Sequence, residues 1–129
     1  MKDEKKVLID YRLERAHGAL AEAKLLFREG FANTFVNRLY YACFYAVSAL
    51  LLSQNLSSSK HSGVRSLFYQ NFIKTGSVRP ECGHLYDRLF DNRQKGDYAD
   101  LVRFELDKIK GWYEEAENFV SAIERLVKE

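Results

Sequence analysis

Apolar residues recur every three or four positions along most of the chain, which is the spacing of one face of an α-helix. The first stripe predicts a helix over residues 5–28, and Gly30 then supplies a residue that readily ends helices. The last stripe predicts a helix over residues 102–127, with steps of four and three that are typical of bundle packing. Its members are Val102, Leu106, Ile109, Tyr113, Ala116, Val120, Ile123 and Val127.

The second predicted helix, over residues 32–54, is apolar on nearly every side. From Leu39 to Leu52 only Ser48 interrupts the apolar run. A helix of this kind must be covered all round, either as the central element of a bundle or partly by a second subunit. The run is shorter than the ~20 residues that span a bilayer, and Asn37 and Arg38 precede it. We therefore predict a core helix and no membrane association.

Two shorter helices complete the predicted set. One covers residues 60–74, and the serines at 57–59 are expected to cap its first turn. The other begins at Pro80, which suits a first helical turn, and should end near Gly96. Long helices joined by short turns predict an all-α, up-and-down bundle of four or five helices. One domain over residues 1–129 accounts for the whole pattern.

Composition agrees with a globular chain, since 47% of residues are hydrophobic and 29% charged. The net charge of +2, from 20 basic and 18 acidic residues, predicts no broad nucleic-acid-binding surface and leaves a local phosphate site open. Cys82 and His84 offer two metal ligands without a second pair, so we expect no metal and no cofactor. The chain opens without an apolar signal segment and has two unrelated cysteines, which indicates the cytoplasm.

Four blocks of the sequence, taken in order, resemble a small branch of the HEPN family. They are NRLYYACF at 37–44, SKHSGV at 59–64, FDNRQKGDY at 90–98 and AENF at 116–119. Together they extend over almost the whole chain. The resemblance implies a four- or five-helix bundle that commonly forms a homodimer. It also implies a minimal nucleotidyltransferase as a partner, frequently in toxin–antitoxin pairs.

Catalytically active HEPN proteins are metal-independent RNases, and the resemblance implies their motif, an Arg followed after four to six residues by a His. An Arg fork can bind the scissile phosphate at two points, and a His can move the 2′-OH proton. Here Arg93 is followed at the matching position by Tyr98, and no histidine comes after it. A tyrosine with a pKa of ~10 is a poor base at neutral pH. The motif therefore has its phosphate-binding half without its usual proton-transfer half.

This departure favours binding of a nucleotide or RNA over cleavage. One alternative is a divergent metal-independent RNase that uses Arg93 with Tyr98 or His61. A second is a structural subunit whose dimer or partner interface is its whole function. The candidate catalytic residues are thus Arg93 and Tyr98. The candidate binding residues are Asn37, Arg38, Tyr41, His61, Arg93, Asp97 and Tyr98.

Several of these residues also have purely structural interpretations. Arg93 and Asp97 are four apart, so they could form only an ion pair at the end of a helix. Tyr98 could be a packed aromatic residue. Asn37 could be a core amide bonded to a neighbouring helix, or could line the same cleft as Arg93.

The histidine and the tyrosines of the second and third predicted helices have similar alternatives. His61 falls in the first turn of its helix, where the neutral imidazole is favoured, and Lys60 and Arg65 lie nearby in sequence. A phosphate site there is one interpretation, and His61 could also replace the missing motif histidine if it folded against Arg93. The tyrosines Tyr40, Tyr41 and Tyr45 fit a core better than a base-stacking surface, and the apolarity of their helix suggests that one ring faces a partner chain.

Overall fold

A computed structural model of the chain describes residues 2–97 and 103–129, with the side chains of residues 4–93 and 103–129. Its elements are α1 (Lys2–Arg28), α2 (Ala32–Ser53), α3 (His61–Phe68), α4 (Pro80–Asp97), α5 (Leu106–Ile109) and α6 (Gly111–Val127). A π-helical turn (Tyr69–Ile73) follows α3 directly. Within the described residues there is no strand, and the predicted all-α fold is confirmed.

The turn between α1 and α2 is built on Gly30, as the sequence predicts. Gly30 has a φ of +85°, a conformation that costs little without a Cβ. Its N–H donates to the Phe27 carbonyl at 3.1 Å, and the Phe31 N–H donates to the Leu26 carbonyl at 2.9 Å. These bonds satisfy carbonyls that the end of α1 would otherwise leave free. The chain thereby reverses within three residues.

The two long helices α1 and α2 run antiparallel along their whole length. Near one end, the Lys5 ammonium donates to the Asn55 side chain at 2.8 Å. Further along, the Arg12 guanidinium donates to the Ser48 carbonyl at 3.2 Å. At the other end, Arg38 forms an ion pair with Glu22 at 3.2 Å. The residue numbers fall on one helix as they rise on the other, which is the up-and-down arrangement.

The helix α2 is the central element of the bundle. Eleven of its residues are buried, and ten of them belong to one continuous core that α2 shares with α1, α4 and α6. By length and composition α2 could cross a membrane, but 67% of its most apolar window is buried inside the protein. The interpretation as a core helix therefore accounts for its apolarity. Its outer side keeps three partly exposed rings, Tyr41, Phe44 and Tyr45.

The helices α4 and α6 each pack on α2 and are joined to each other by side-chain contacts. The Arg88 guanidinium binds both carboxylate oxygens of Glu115, at 3.0 and 3.1 Å, and lies over the Trp112 ring. A hydrogen bond of 2.8 Å between His17 and Glu124 links α1 to α6. The helices α1, α4 and α6 therefore pack around α2. His17 thus has a structural role.

The sequence pattern places the start of the final helix too early. Residues 103–105 are not helical, and helix starts only at Leu106 before continuing into α6 through Lys110. The reason is a tertiary contact: the Phe104 ring packs edge-on against Trp112 at 6.2 Å, and its N–H donates to the Asn33 side chain at 3.3 Å. These contacts hold the segment in a non-helical conformation although its apolar spacing continues the stripe.

The start and end of the third helix also differ from expectation. No serine caps α3; Lys60 is its N-cap residue, without a side-chain capping bond. Ser58 instead accepts a hydrogen bond from the Lys60 N–H at 3.2 Å, which shapes the loop. The predicted helix to residue 74 ends in the π-helical turn, where the Tyr69 hydroxyl donates to Asp87 on α4 at 2.7 Å. Beside this wider turn, the Tyr69 side chain packs closely against Gly83 of α4.

Candidate functional site

Arg93 lies on α4 with its guanidinium against the aromatic side of α2. Its Cζ atom is 4.7 Å from the centre of the Tyr40 ring and 5.9 Å from that of Tyr41. Its Nη1 donates a long hydrogen bond of 3.4 Å to the Tyr41 hydroxyl, and its Nε is buried with no partner in the described residues. A guanidinium has five N–H donors, so this contact leaves donors for a further acceptor.

His61 begins α3 on the same cluster of rings. Its Nδ1 is 2.6 Å from the hydroxyl of Tyr40, and its ring stacks on Phe44 at 4.3 Å between centres. It also meets the Tyr41 ring edge-on at 5.9 Å. Arg93 and His61 therefore contact the same two tyrosines from different elements. We call Arg93, His61, Tyr40, Tyr41 and Phe44 the Arg93–His61 site.

The electrostatics of the site keep the imidazole neutral. Burial and, secondly, the positive charge of Arg93 lower the pKa of His61 from its ordinary value of 6.5. Burial raises the pKa of Tyr40 to about 12, so its phenol stays protonated. The Tyr40 hydroxyl can then donate to Nδ1 or accept from it, according to which ring nitrogen of His61 carries the proton. In either tautomer Nε2, which has no hydrogen bond within the described residues, remains for an external group.

A buried aromatic layer supports the site from below. The Tyr40 side chain has no exposed surface, and its ring packs against Tyr86 and Phe90 on α4 at 5.9 and 6.0 Å. The Tyr86 hydroxyl makes no hydrogen bond of ordinary geometry within the described residues, and burial raises the pKa of its phenol well above the usual value. Tyr40 is therefore a core residue that takes part in the site through its ring, which Arg93 contacts, and through its hydroxyl, which bonds to His61.

Arg38 and Asn37 join the site at its α1 side. The Arg38 guanidinium lies 4.9 Å from the centre of the Tyr41 ring and pairs with Glu22. Its Nε and Nη2 donate to the side-chain oxygen of Asn37, at 3.2 and 2.9 Å. Arg38 is thus already engaged with acceptors. In these contacts Asn37 bonds to Arg38, and Arg38 in turn lies against the Tyr41 ring of the Arg93–His61 site.

On the opposite side, Arg65 is held by acidic residues of α4. It lies 4.0 Å from the centre of the Phe90 ring and is 3.5 Å from a carboxylate oxygen of Asp87. A second carboxylate, Asp91, is 3.9 Å away. This pairing leaves Arg65 less able than Arg93 to serve as a phosphate ligand.

The structure thus brings Tyr41, His61 and Arg93 together and attaches Arg38 and Asn37 to them. Tyr98 and the side chain of Asp97 lie outside the described residues, so their assigned roles remain predictions. Sequence reasoning missed Phe44 as the ring that stacks on His61. Phe44 comes three residues after Tyr41, and this helical spacing could have indicated that the two rings share a face. Among the described residues, no group of three or more metal-ligating side chains occurs.

The chain is similar to known proteins over most of its length. A family model described as the HEPN domain matches residues 9–126. A protein of Thermotoga maritima named as a UPF0332 protein is 48% identical over 127 residues, which is 98% of this chain and 96% of the relative.

Two similar proteins of Methanocaldococcus jannaschii have functional names. "Putative toxin MJ0605" is 34% identical over 117 residues, covering 91% of this chain and 87% of the relative. "Putative toxin MJ0142" is 32% identical over 96 residues, covering 74% of this chain and 65% of the relative.

Proposed function

The chain belongs to the HEPN family, and on that basis we propose that it binds single-stranded RNA at the Arg93–His61 site. The observation that carries this proposal is the contact of Arg93 and His61 with the same two rings, Tyr40 and Tyr41. A phosphodiester placed between them would accept hydrogen bonds from the guanidinium and from the imidazole. Such charge-assisted bonds are the strong ones, and Arg suits phosphate geometry.

The surrounding rings favour RNA over a free phosphate ion. Tyr41 and Phe44 are partly exposed beside the two phosphate ligands. Single-stranded nucleic acids bind where a positive groove follows the backbone and aromatic rings stack on the bases. The whole chain carries a net charge of only +2, so we expect the protein to contact few phosphates of the RNA.

Binding is tested by titrating a fluorescein-labelled dodecauridylate with the protein at low ionic strength. We expect saturable binding that weakens as salt is added, with a shallow slope that corresponds to few phosphate contacts. Inorganic phosphate at millimolar concentration should compete poorly, since it lacks bases. An absence of binding at high protein concentration would remove RNA from this account.

RNA cleavage is a second candidate function, and the position of His61 favours it. In the tautomer with Nδ1–H bonded to Tyr40, Nε2 can take the proton of a ribose 2′-OH. The 2′-oxygen would then bond to phosphorus while the P–O5′ bond breaks and the leaving oxygen takes a proton from a water molecule. The hydroxide left from that water would take back the proton held by His61. The products would be a 2′,3′-cyclic phosphate and a 5′-hydroxyl end. His61 would thereby replace the histidine that the family motif places after Arg93.

Incubation of RNA with the protein in excess EDTA tests this second candidate. Cleavage by His61 should survive chelation, be lost in Arg93→Ala, fall by about 100-fold or more in His61→Asn, and persist in Tyr98→Phe. Loss in Tyr98→Phe with activity retained in His61→Asn would assign the proton transfer to Tyr98. Uncut RNA in every reaction would leave binding as the function.

The cellular context is proposed from the relatives and the resemblance. The two relatives with toxin names support one half of a toxin–antitoxin-like pair. The partner would be a minimal nucleotidyltransferase, the chain would form a homodimer, and both would act in the cytoplasm.

Exposed apolar side chains on α1, namely Val7, Leu8 and Tyr11, support an interface there. Sedimentation equilibrium tests the dimer, and a monomer at ~100 µM would contradict it.

A further inference from the structure

A cavity of about 190 Å³ opens beside the Arg93–His61 site, where α1, α2 and the loop before α3 meet. We call it the Ser57 cavity. The side chains that matter for its chemistry are Arg12, Phe44, Tyr45, Ser48, Ser57 and Ser58. Pockets for drug-sized ligands run to about 300–1,000 Å³, so this volume suits a smaller group such as one base or one sugar.

The chemistry of the cavity combines rings, hydroxyls and one positive charge. Arg12 is the one charged residue in its described lining, and its Nη1 donates to the Ser48 carbonyl at 3.2 Å. That bond orients the guanidinium and leaves other N–H groups for an acceptor. Serine hydroxyls both donate and accept, as the edges of a nucleobase require. The lining contains no carboxylate that would repel a phosphate.

The loop that forms one wall of the cavity is held in place. Ser58 accepts the hydrogen bond from the Lys60 N–H, and its side chain lies against Gly63 so closely that a Cβ at Gly63 would overlap it. The glycine therefore lets the loop approach α3. This fixes the loop, so that a ligand would meet a preformed wall rather than one that must be ordered on binding.

Phe44 connects the cavity to the Arg93–His61 site. Its ring lines the cavity and also stacks on the imidazole of His61 at 4.3 Å. Beyond it, Tyr45 lines the cavity and lies 5.9 Å from the Tyr41 ring. The cavity is therefore one ring away from the proposed phosphate ligands.

We propose that the Ser57 cavity binds one nucleoside of the single-stranded RNA whose phosphate lies at the Arg93–His61 site. This inference rests on the proposed function and adds a specificity site to it. Phe44 and Tyr45 would contact the base or sugar with the ring surface that His61 and Arg15 leave uncovered. The serine hydroxyls would bond its edge, and Arg12 would reach the adjoining phosphate. RNA in single strands is commonly recognised through a base stacked on aromatic residues in this way.

The test compares a labelled hexauridylate with an abasic hexaribonucleotide that keeps the phosphates and lacks the bases. The wild-type protein should bind the hexauridylate about 5- to 150-fold more tightly, which is the gain from one stacked base. Ser57→Phe fills the cavity from an exposed loop position and should reduce binding of the hexauridylate to the abasic level. Ser59→Phe places the same ring in the same loop outside the cavity lining, so it should leave both affinities unchanged.

Two further variants keep the outcome decisive. Arg12→Gln and Arg93→Ala should each weaken both chains, because both chains keep the phosphates that these two residues are proposed to contact. Equal wild-type affinities, or equal effects of Ser57→Phe and Ser59→Phe, would overturn the inference and leave RNA binding in place. No binding of either chain would overturn the proposed function and this inference with it. Displacement of RNA by polyglutamate in wild type but not in Ser57→Phe would assign the cavity to an acidic polypeptide and also overturn it.

Discussion

Replacing Arg93 by alanine is expected to weaken the binding of a short single-stranded RNA by about 10- to 150-fold. The reason is the loss of charge-assisted hydrogen bonds to the phosphate, which contribute about 1.5–3 kcal/mol. Arg93→Lys should fall between wild type and alanine, because an ammonium keeps the charge without the planar fork and the stacking on Tyr40. Fluorescence anisotropy with labelled dodecauridylate measures all three affinities.

The matched control for this variant is Arg28→Ala. Arg28 lies in the last turn of α1 and is exposed, and its removal changes the net charge by the same amount. It should alter the affinity by less than about 3-fold at moderate salt, since distant exposed charges are screened. Thermal unfolding of each variant checks that the chain still folds. An equal loss in both variants would show only a general charge effect and would remove Arg93 from the site.

Leu39→Ala is expected to produce the largest change in stability, a loss of about 2–5 kcal/mol in the free energy of unfolding. Leu39 is 0% exposed at the centre of α2, in contact with the one continuous core. Truncation removes apolar burial and leaves a cavity that close-packed neighbours cannot fill. Urea denaturation measures the change, which is a large share of the roughly 5–15 kcal/mol that holds such a domain together.

Leu25→Ala is the matched control for this change, because the same atoms are removed from a side chain that is 53% exposed. Its effect should stay within about 0.5 kcal/mol, as for other surface substitutions. A similar loss in both variants would contradict the assignment of α2 as the central helix. A small loss in both would mean that the core does not depend on Leu39.

Much of the fold could be predicted from sequence because its signals are local. The stripe of α1, the all-round apolarity of α2, Gly30 in the turn and Pro80 at the start of α4 each act within a few residues. The predicted helix boundaries were wrong where a contact with a distant residue decides the backbone conformation. Phe104 packs on Trp112 and bonds to Asn33, and these contacts override the apolar spacing that suggested a helix from residue 102. The same holds for the π-helical turn, whose Tyr69 bonds to Asp87.

The site could be predicted only as separate parts. Arg93 and His61 were both candidates, but the sequence gives no sign that they contact the same tyrosines. The Arg93–Tyr41 and His61–Tyr40 contacts join residues 52 and 21 positions apart, on three different helices. Such pairings depend on how the bundle packs, which periodicity does not reveal. Tyr40 illustrates the point, since it is a core residue by burial and a site residue through its ring and its hydroxyl.

The pKa of His61 is the measurement that tests the central claim, that Arg93 and His61 form one phosphate-binding site. It can be followed by NMR through the Hε1 resonance as the pH is varied, in wild type, Arg93→Ala and Arg28→Ala. Wild type should titrate below 6.5, because burial and the charge of Arg93 both disfavour the imidazolium. Removal of Arg93 should raise the pKa, as should saturating RNA on the wild-type protein, whose phosphate favours the charged form. A pKa of His61 that neither Arg93→Ala nor RNA changes would contradict the account.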